Sequence, residues 1–124
     1  MSDDPKFLGR NVNRPQETLD TFPAPDGIGE VTLTSDEVAS LCPVTHQPDL
    51  YTVTIRYQPD KLCIESKSLK LYFWHFRDRG VYCEQLAVDI RDKVVATIAP
   101  KSCSVSVIQK ARGGITIEAV SRTG

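Results

Sequence analysis

The clearest periodicity lies between Tyr51 and Tyr57, where Tyr51, Val53, Ile55 and Tyr57 alternate with Thr52, Thr54 and Arg56. A strict period of two predicts a strand with one face buried and one facing water. Pro59–Lys61 interrupts it, and Leu62–Glu65 reads as a short extended piece. From about Ser66 the period changes. Leu69, Tyr72, Phe73 and Phe76 follow the i, i+3, i+4, i+7 spacing of one helical face, and Asp78-Arg79-Gly80 stops the helix with Gly80 in a left-handed cap. A second helix is predicted from about Tyr82 to Ile98, carried by Leu86, Ile90, Val94 and Ile98 and closed by Pro100. The short connection makes the two helices an antiparallel hairpin. Cys103, Val105 and Val107 alternate with Ser104 and Ser106 as another strand, Ala111-Arg112-Gly113-Gly114 turns the chain, and Ile115–Val120 is the last strand.

Upstream, Val31–Thr34 reads as a short strand, and Ser35 or Asp36 caps a brief turn leading to Leu41. Residues 1–30 are rich in proline and polar side chains without a sustained period, so an irregular N-terminal arm is expected there, with a single domain over 31–124. Strands, then two helices, then strands predict an α+β fold: a four-stranded antiparallel sheet with two antiparallel helices on one face. No internal repeat is evident.

Composition narrows the function. The chain has 124 residues, enough for one core and small enough that association would add useful burial. Fifteen Lys and Arg against 16 Asp and Glu give a net charge of −1, which offers no basic surface for nucleic acid. A local basic patch for a small phosphate is still compatible with that balance. The start, MSDDPKFLGR, has no apolar segment of the signal-peptide kind, and no stretch approaches a membrane span, so a cytoplasmic protein is expected. Cys42, Cys63, Cys83 and Cys103 are scattered without a CxxC pair. That spacing argues against a structural zinc site and, in a reducing compartment, for free thiols.

Two segments carry chemistry. Lys67 and Lys70 share a helical face beside the apolar stripe. Two adjacent ammonium groups suit an anionic ligand such as a phosphate, and equally suit a solvated helix face. Cys42-Pro43-Val44-Thr45-His46-Gln47-Pro48-Asp49 is a proline-stiffened loop with a thiol at one end and a carboxylate at the other. A thiolate is a strong nucleophile, and a nearby carboxyl can move the proton its attack requires. Taken alone, the segment is also consistent with a buried cysteine beside a turn-forming Pro-Asp.

The combination is more specific than either part. CPVTHQPD, then ESKSLKLYFW, then ARGGI at 111–115 resembles, in order and spacing from about Thr34 to Ile117, the short form of the NADPH-dependent 7-cyano-7-deazaguanine reductases. These are nitrile oxidoreductases of queuosine tRNA modification, in the tunnelling-fold superfamily. The resemblance implies Cys42 as the nucleophile that forms a thioimidate and Asp49 as the acid that protonates the nitrile nitrogen. It implies Glu84 as the purine anchor and Ile64, Glu65 and Ser66 as the corner lining the base pocket. Lys67 and Lys70 match the block associated with NADPH, with Arg112 a weaker companion. No metal is implied.

One position departs from the pattern. The family has His immediately before the anchoring Glu, and this chain has Cys83, a far weaker hydrogen-bond donor. Cys83 is either a passive wall of the substrate pocket or an oxidation partner for Cys42.

The superfamily leaves other readings open. An amidine-forming relative acts on nitrile-modified tRNA without a reductant; it shares the Cys and Asp but lacks the lysine-bearing block. A metal-dependent hydrolase of the same fold would need converging Cys and His ligands, and only His46 and His75 exist. A non-catalytic purine-binding ring protein is a third. The fold implies homo-oligomeric rings of five protomers stacked in pairs, because edge strands pair around a ring, with a small deazapurine rather than nucleic acid or membrane as partner.

Overall fold

The computed structural model describes residues 17–123. Its elements are β1 (Thr21–Pro23), β2 (Val31–Leu41), β3 (Pro48–Gln58), β4 (Leu62–Ile64), α1 (Ser66–Trp74), α2 (Cys83–Ile98), β5 (Ser102–Arg112) and β6 (Ile115–Arg122). Strands β2-β3-β5-β6 form a four-stranded sheet in that order with every neighbour antiparallel. Helix α1 packs over β2 and α2 over β5 and β6, and Lys93 Nζ meets the Tyr72 ring at 6.0 Å between them.

The alternation predicted for β3 is what the structure buries. Tyr51, Val53, Ile55 and Tyr57 face the helices with Cys103, Val105 and Val107 of β5 beside them. The helical stripes Leu69, Tyr72, Phe73, Phe76 and Leu86, Ile90, Val94, Ile98 close over them as one core. Helix α2 ends at Ala99, whose left-handed backbone (φ 43°) turns the chain into Pro100. At the other hairpin, Gly113 and Gly114 both have positive φ (65° and 82°). That is the pair of left-handed positions a two-residue β-turn requires, and glycine takes them without a Cβ clash.

Three expectations need correction. The arm over 1–30 does not hold for its described part: Leu19 is in the core, and β1 pairs with β4 through Thr21↔Ile64, Phe22↔Cys63 and Pro23↔Leu62. Residues 1–16 of that arm lie outside the described residues. Nor does Ser35 or Asp36 cap a turn. The strand runs on to Leu41, with its register to β3 shifting between Ser35 and Val38, and Ser35 Oγ accepts the Glu37 N–H at 3.3 Å. This bulge re-phases the strand: Val31, Leu33 and Ser35 are its covered positions before it, Val38 and Ser40 after it. Finally, Gly80 is not a left-handed cap. Helix α1 ends at Trp74, and Gly80 forms a parallel bridge with Leu41, with Leu41 N–H donating to the Arg79 carbonyl at 2.8 Å.

Candidate active site

The bulge determines what reaches the end of the sheet. By moving the inward phase of β2 to even-numbered residues, it turns Ser40 inward, directly across from Asp49 of β3 in the register. Two residues further, the strand gives out into the loop carrying Cys42. Both backbone groups of Cys42 are tied down: its N–H donates to the Gln47 carbonyl (2.8 Å) and its carbonyl accepts from His46 N–H (2.9 Å). His46 takes a positive φ of 60° to complete the reversal, and Gly80 packs its backbone near Pro43. The expected rigid loop is therefore present, held by its own hydrogen bonds and by the connector after α1.

That loop also tunes the thiol. The Thr45 hydroxyl, then the Thr45 and Val44 backbone N–H groups, stabilise the Cys42 thiolate and hold its pKa below the ordinary thiol value, against partial burial and the Asp49 charge. Cys83 and Cys103 go the other way: burial raises both, Cys103 to about 11. Selective chemistry follows. Near neutral pH, limiting iodoacetamide should modify Cys42 first, and Thr45→Val, which removes the strongest stabilising donor, should slow that modification several-fold, read by peptide mass mapping against pH.

Asp49 is only 7% exposed, on the inward face of β3 two residues before Tyr51. Arg112 reaches it from the end of β5, with Nη2 at 3.3 Å from Oδ1, and donates a second bond to the Pro48 carbonyl. Arg112 thus fixes the carboxylate. The Asp49 charge raises the pKa values of Cys42, Tyr51 and Cys83, so all three lie within its electrostatic reach. Cys83 opens α2 above this end of the sheet, buried, its thiol donating to the Val107 carbonyl at 3.5 Å. Glu84 follows it in the first turn, exposed to solvent.

Sequence reasoning missed one pair here. Ser40 Oγ and the Tyr51 hydroxyl are 2.6 Å apart and fully buried. Tyr51 was legible as an inward strand residue; its partner was not, because Ser40 faces inward only after the bulge. Removing either hydroxyl leaves the other unsatisfied, at roughly 1–3 kcal/mol.

The remaining predicted residues sit elsewhere, at the corner from β4 into α1. Ile64 is buried and its N–H donates to the Tyr57 hydroxyl at 3.0 Å. Glu65 caps α1: one carboxylate oxygen accepts Lys67 N–H at 2.7 Å and the other Ser68 N–H at 2.8 Å, an arrangement worth about 1 kcal/mol. Ser66 and Lys70 line a groove of about 520 Å³ between α1 and β2, with Leu33, Ala39 and Phe73 among its walls. Lys67 is half-buried beside it on the same helix. Within one chain, then, the fold gathers Cys42, Asp49, Cys83 and Arg112, and places the lysine-bearing helix along a separate groove. That groove fits a phosphate-bearing cofactor, since cations and an exposed aromatic line a cavity of molecular size. Among the described residues, no cluster of three or more His, Cys, Asp or Glu is arranged to hold a metal.

An antiparallel sheet backed by two helices, with a loop-held thiol of lowered pKa and a buried carboxylate toward one end, defines the α+β fold and its candidate site. A family model described as QueF-like protein matches residues 48–124, and the chain belongs to that family. It is 42% identical over 114 residues to the NADPH-dependent 7-cyano-7-deazaguanine reductase of Frankia casuarinae, covering 92% of this chain and 91% of that protein. With the protein of the same name from Chlorobium chlorochromatii, identity is 46% over 86 residues, covering 69% and 74%. Among solved structures, the archaeosine synthase QueF-Like in its apo form superimposes with a TM-score of 0.75 at 27% identity, covering 80% of this chain and 97% of that one.

Proposed function

We propose that this chain is an NADPH-dependent 7-cyano-7-deazaguanine reductase, converting the nitrile to the aminomethyl group through a covalent thioimidate on Cys42, in queuosine tRNA modification. The observation that carries it is the pairing of a thiol with a depressed pKa and a buried carboxylate at one end of the sheet. The match over most of the chain to reductases of that name supports the same reading.

The residues divide the work. The Cys42 sulfur attacks the nitrile carbon; a C–S bond forms as one C≡N π bond breaks. Asp49 takes the thiol proton and delivers it to the nitrile nitrogen, so the charge developing there is neutralised where it appears. Arg112 keeps that carboxylate aimed, through its 3.3 Å contact with Oδ1. Glu84 accepts hydrogen bonds from the N–H edge of the base. Lys67 and Lys70 would hold NADPH, which would supply the two hydrides that, each matched by a proton, take the nitrile to the primary amine and release the Cys42 thiol. Between the two, the surrounding residues must exclude water, because an exposed imine hydrolyses.

Enclosure comes from association. Strands β2 and β6 are the outer strands of the sheet, and β6 exposes Ile115 and Val120. Pairing these edges between copies, in rings of five stacked in pairs, removes both edges.

The amidine-forming alternative keeps its interest because the archaeosine synthase shares this fold. One assay separates the two. With free 7-cyano-7-deazaguanine, the reductase oxidises two NADPH per amine formed, with the amine identified by mass. No NADPH consumption in the presence of the base would refute the reductase reading.

A further inference from the structure

The sheet face turned away from the helices carries a row of side chains that the reaction above does not use. The registers of β2, β3, β5 and β6 align Thr32, Arg56, Ser104 and Arg122 side by side across all four strands. Directly opposed residues in an antiparallel ladder project to the same face, so Ser104 has an arginine-bearing strand on each side, each about 4.8 Å away. Elsewhere on this face the polar groups satisfy one another. Thr34 Oγ1 donates to Thr54 Oγ1 at 3.5 Å, and Ser106 Oγ donates to a Glu118 carboxylate oxygen at 3.0 Å. The arginine row is different: among the described residues, the Arg56 and Arg122 guanidiniums and the Ser104 hydroxyl have no hydrogen-bond or ion-pair partner.

Both arginines line a cavity of about 260 Å³ together with Ser102, Ser104, Thr123 and Glu30. The backbone around it is fixed. Cys103 N–H donates to the Thr123 hydroxyl at 2.9 Å, Thr123 N–H donates back to the Cys103 carbonyl at 3.0 Å, and Arg91 of α2 donates to the Arg122 carbonyl at 3.3 Å. Glu30 shares the cavity, yet among the described residues it forms no ion pair with either arginine. Arg56 stands near the far end of β3 from Asp49, on the order of 20 Å from that carboxylate along the strand.

We infer that this cavity binds an oxyanion of the phosphate class, seated over Ser104 and held from both sides by Arg56 and Arg122. Two guanidiniums across one small side chain repel each other, and a dianion between them replaces that repulsion with two charge-assisted contacts. Each guanidinium presents its donors as a planar fork that matches phosphate oxygens. Serine between them leaves the room, because a longer side chain there would fill the space above the strand. With a net charge of −1 for the whole chain, this is a local arrangement rather than part of a generally basic surface. The ligand is free phosphate or the phosphate end of a small monoester, whose hydroxyl groups would donate to Glu30.

Equilibrium dialysis of the assembled full-length protein against radiolabelled inorganic phosphate, with ionic strength fixed by chloride, should show saturable uptake. Arg56→Gln and Arg122→Gln should each weaken it about 10- to 100-fold. Lys70→Gln should leave this uptake unchanged, which separates it from any phosphate held at α1. Ser104→Leu keeps both charges but fills the space between them, and should abolish the uptake. Melts in chloride control for folding; added phosphate should raise the melting temperature of the parent protein and of none of the three cavity variants. Unlabelled glycerol 3-phosphate then identifies the source. Stronger competition than unlabelled phosphate assigns a monoester, weaker competition assigns the free ion, and either keeps the site. Absence of uptake above the chloride background overturns it. So does binding that survives Ser104→Leu, the mark of loose attraction to two arginines, or binding lost in Lys70→Gln and retained in the arginine variants. Neither result bears on the reductase reading, which NADPH oxidation with the nitrile tests separately.

Discussion

Replacing Cys42 with alanine is expected to abolish both covalent capture of 7-cyano-7-deazaguanine and its reduction, with turnover falling by at least about 10³-fold. Intact mass spectrometry of the parent protein should show the addition of one substrate molecule per chain, and NADPH should discharge it. The variant should show no addition at all. The magnitude follows from the chemistry: a free nitrile is a poor hydride acceptor, and the thioimidate is what makes its carbon electrophilic. Nothing else in this neighbourhood can substitute. Cys83 is buried, its thiol already donates to the Val107 carbonyl, and burial raises its pKa. A variant that still forms the adduct would move the nucleophile to another residue. Folding should be unharmed, because the loop is held by the backbone groups of residue 42 rather than by its sulfur.

The second large effect is expected from Asp49→Asn, and its two consequences have opposite signs. Turnover should drop by about 10²–10³-fold, since an amide cannot carry the thiol proton to the nitrile nitrogen. Reactivity of Cys42 toward iodoacetamide should rise at the same time. The Asp49 charge pushes the Cys42 pKa up, against the Thr45 hydroxyl and the two loop N–H groups that pull it down. Removing that charge lowers the pKa further, so more thiolate is present at any pH below it. The alkylation rate should climb with pH and level off earlier in the variant than in the parent protein. A structural collapse would instead change both readings in the same direction. Equal turnover in parent and variant would take Asp49 out of the reaction, and slower alkylation would contradict the electrostatic arrangement.

Much of the fold could be read from local pattern. The β3 alternation and the four-residue stripe of α2 were legible because each face is buried along its whole length, so burial writes an uninterrupted period into the sequence. The Cys42–Asp49 loop was legible because its prolines and polar ends stand out against flanking strands. Where two forces compete locally, reading failed. The Ser35–Glu37 segment has the residues of a capped turn, yet pairing with β3 keeps it in the sheet, and the extra residue appears as a bulge. Thr21–Pro23 is too short to show a period and becomes a strand only because β4 supplies its hydrogen bonds. Gly80 has the right neighbours for a helix stop, but the strand end at Leu41 captures its backbone.

What the amino-acid order settled by itself was the class of architecture, the proline-stiffened Cys42–Asp49 loop as a candidate site, and the lysine-bearing stretch beside an apolar helical stripe, since each depends on residues within one or two turns or strands. The tertiary structure alone decided how they act. It gave Glu65 to the cap of α1, set Arg112 against Asp49, turned Ser40 toward Tyr51, and opened the groove between α1 and β2 that Lys70 and Trp74 line. Those outcomes depend on strand register and on which helix covers which strand, and contacts between segments far apart in the chain leave no periodic trace in either one.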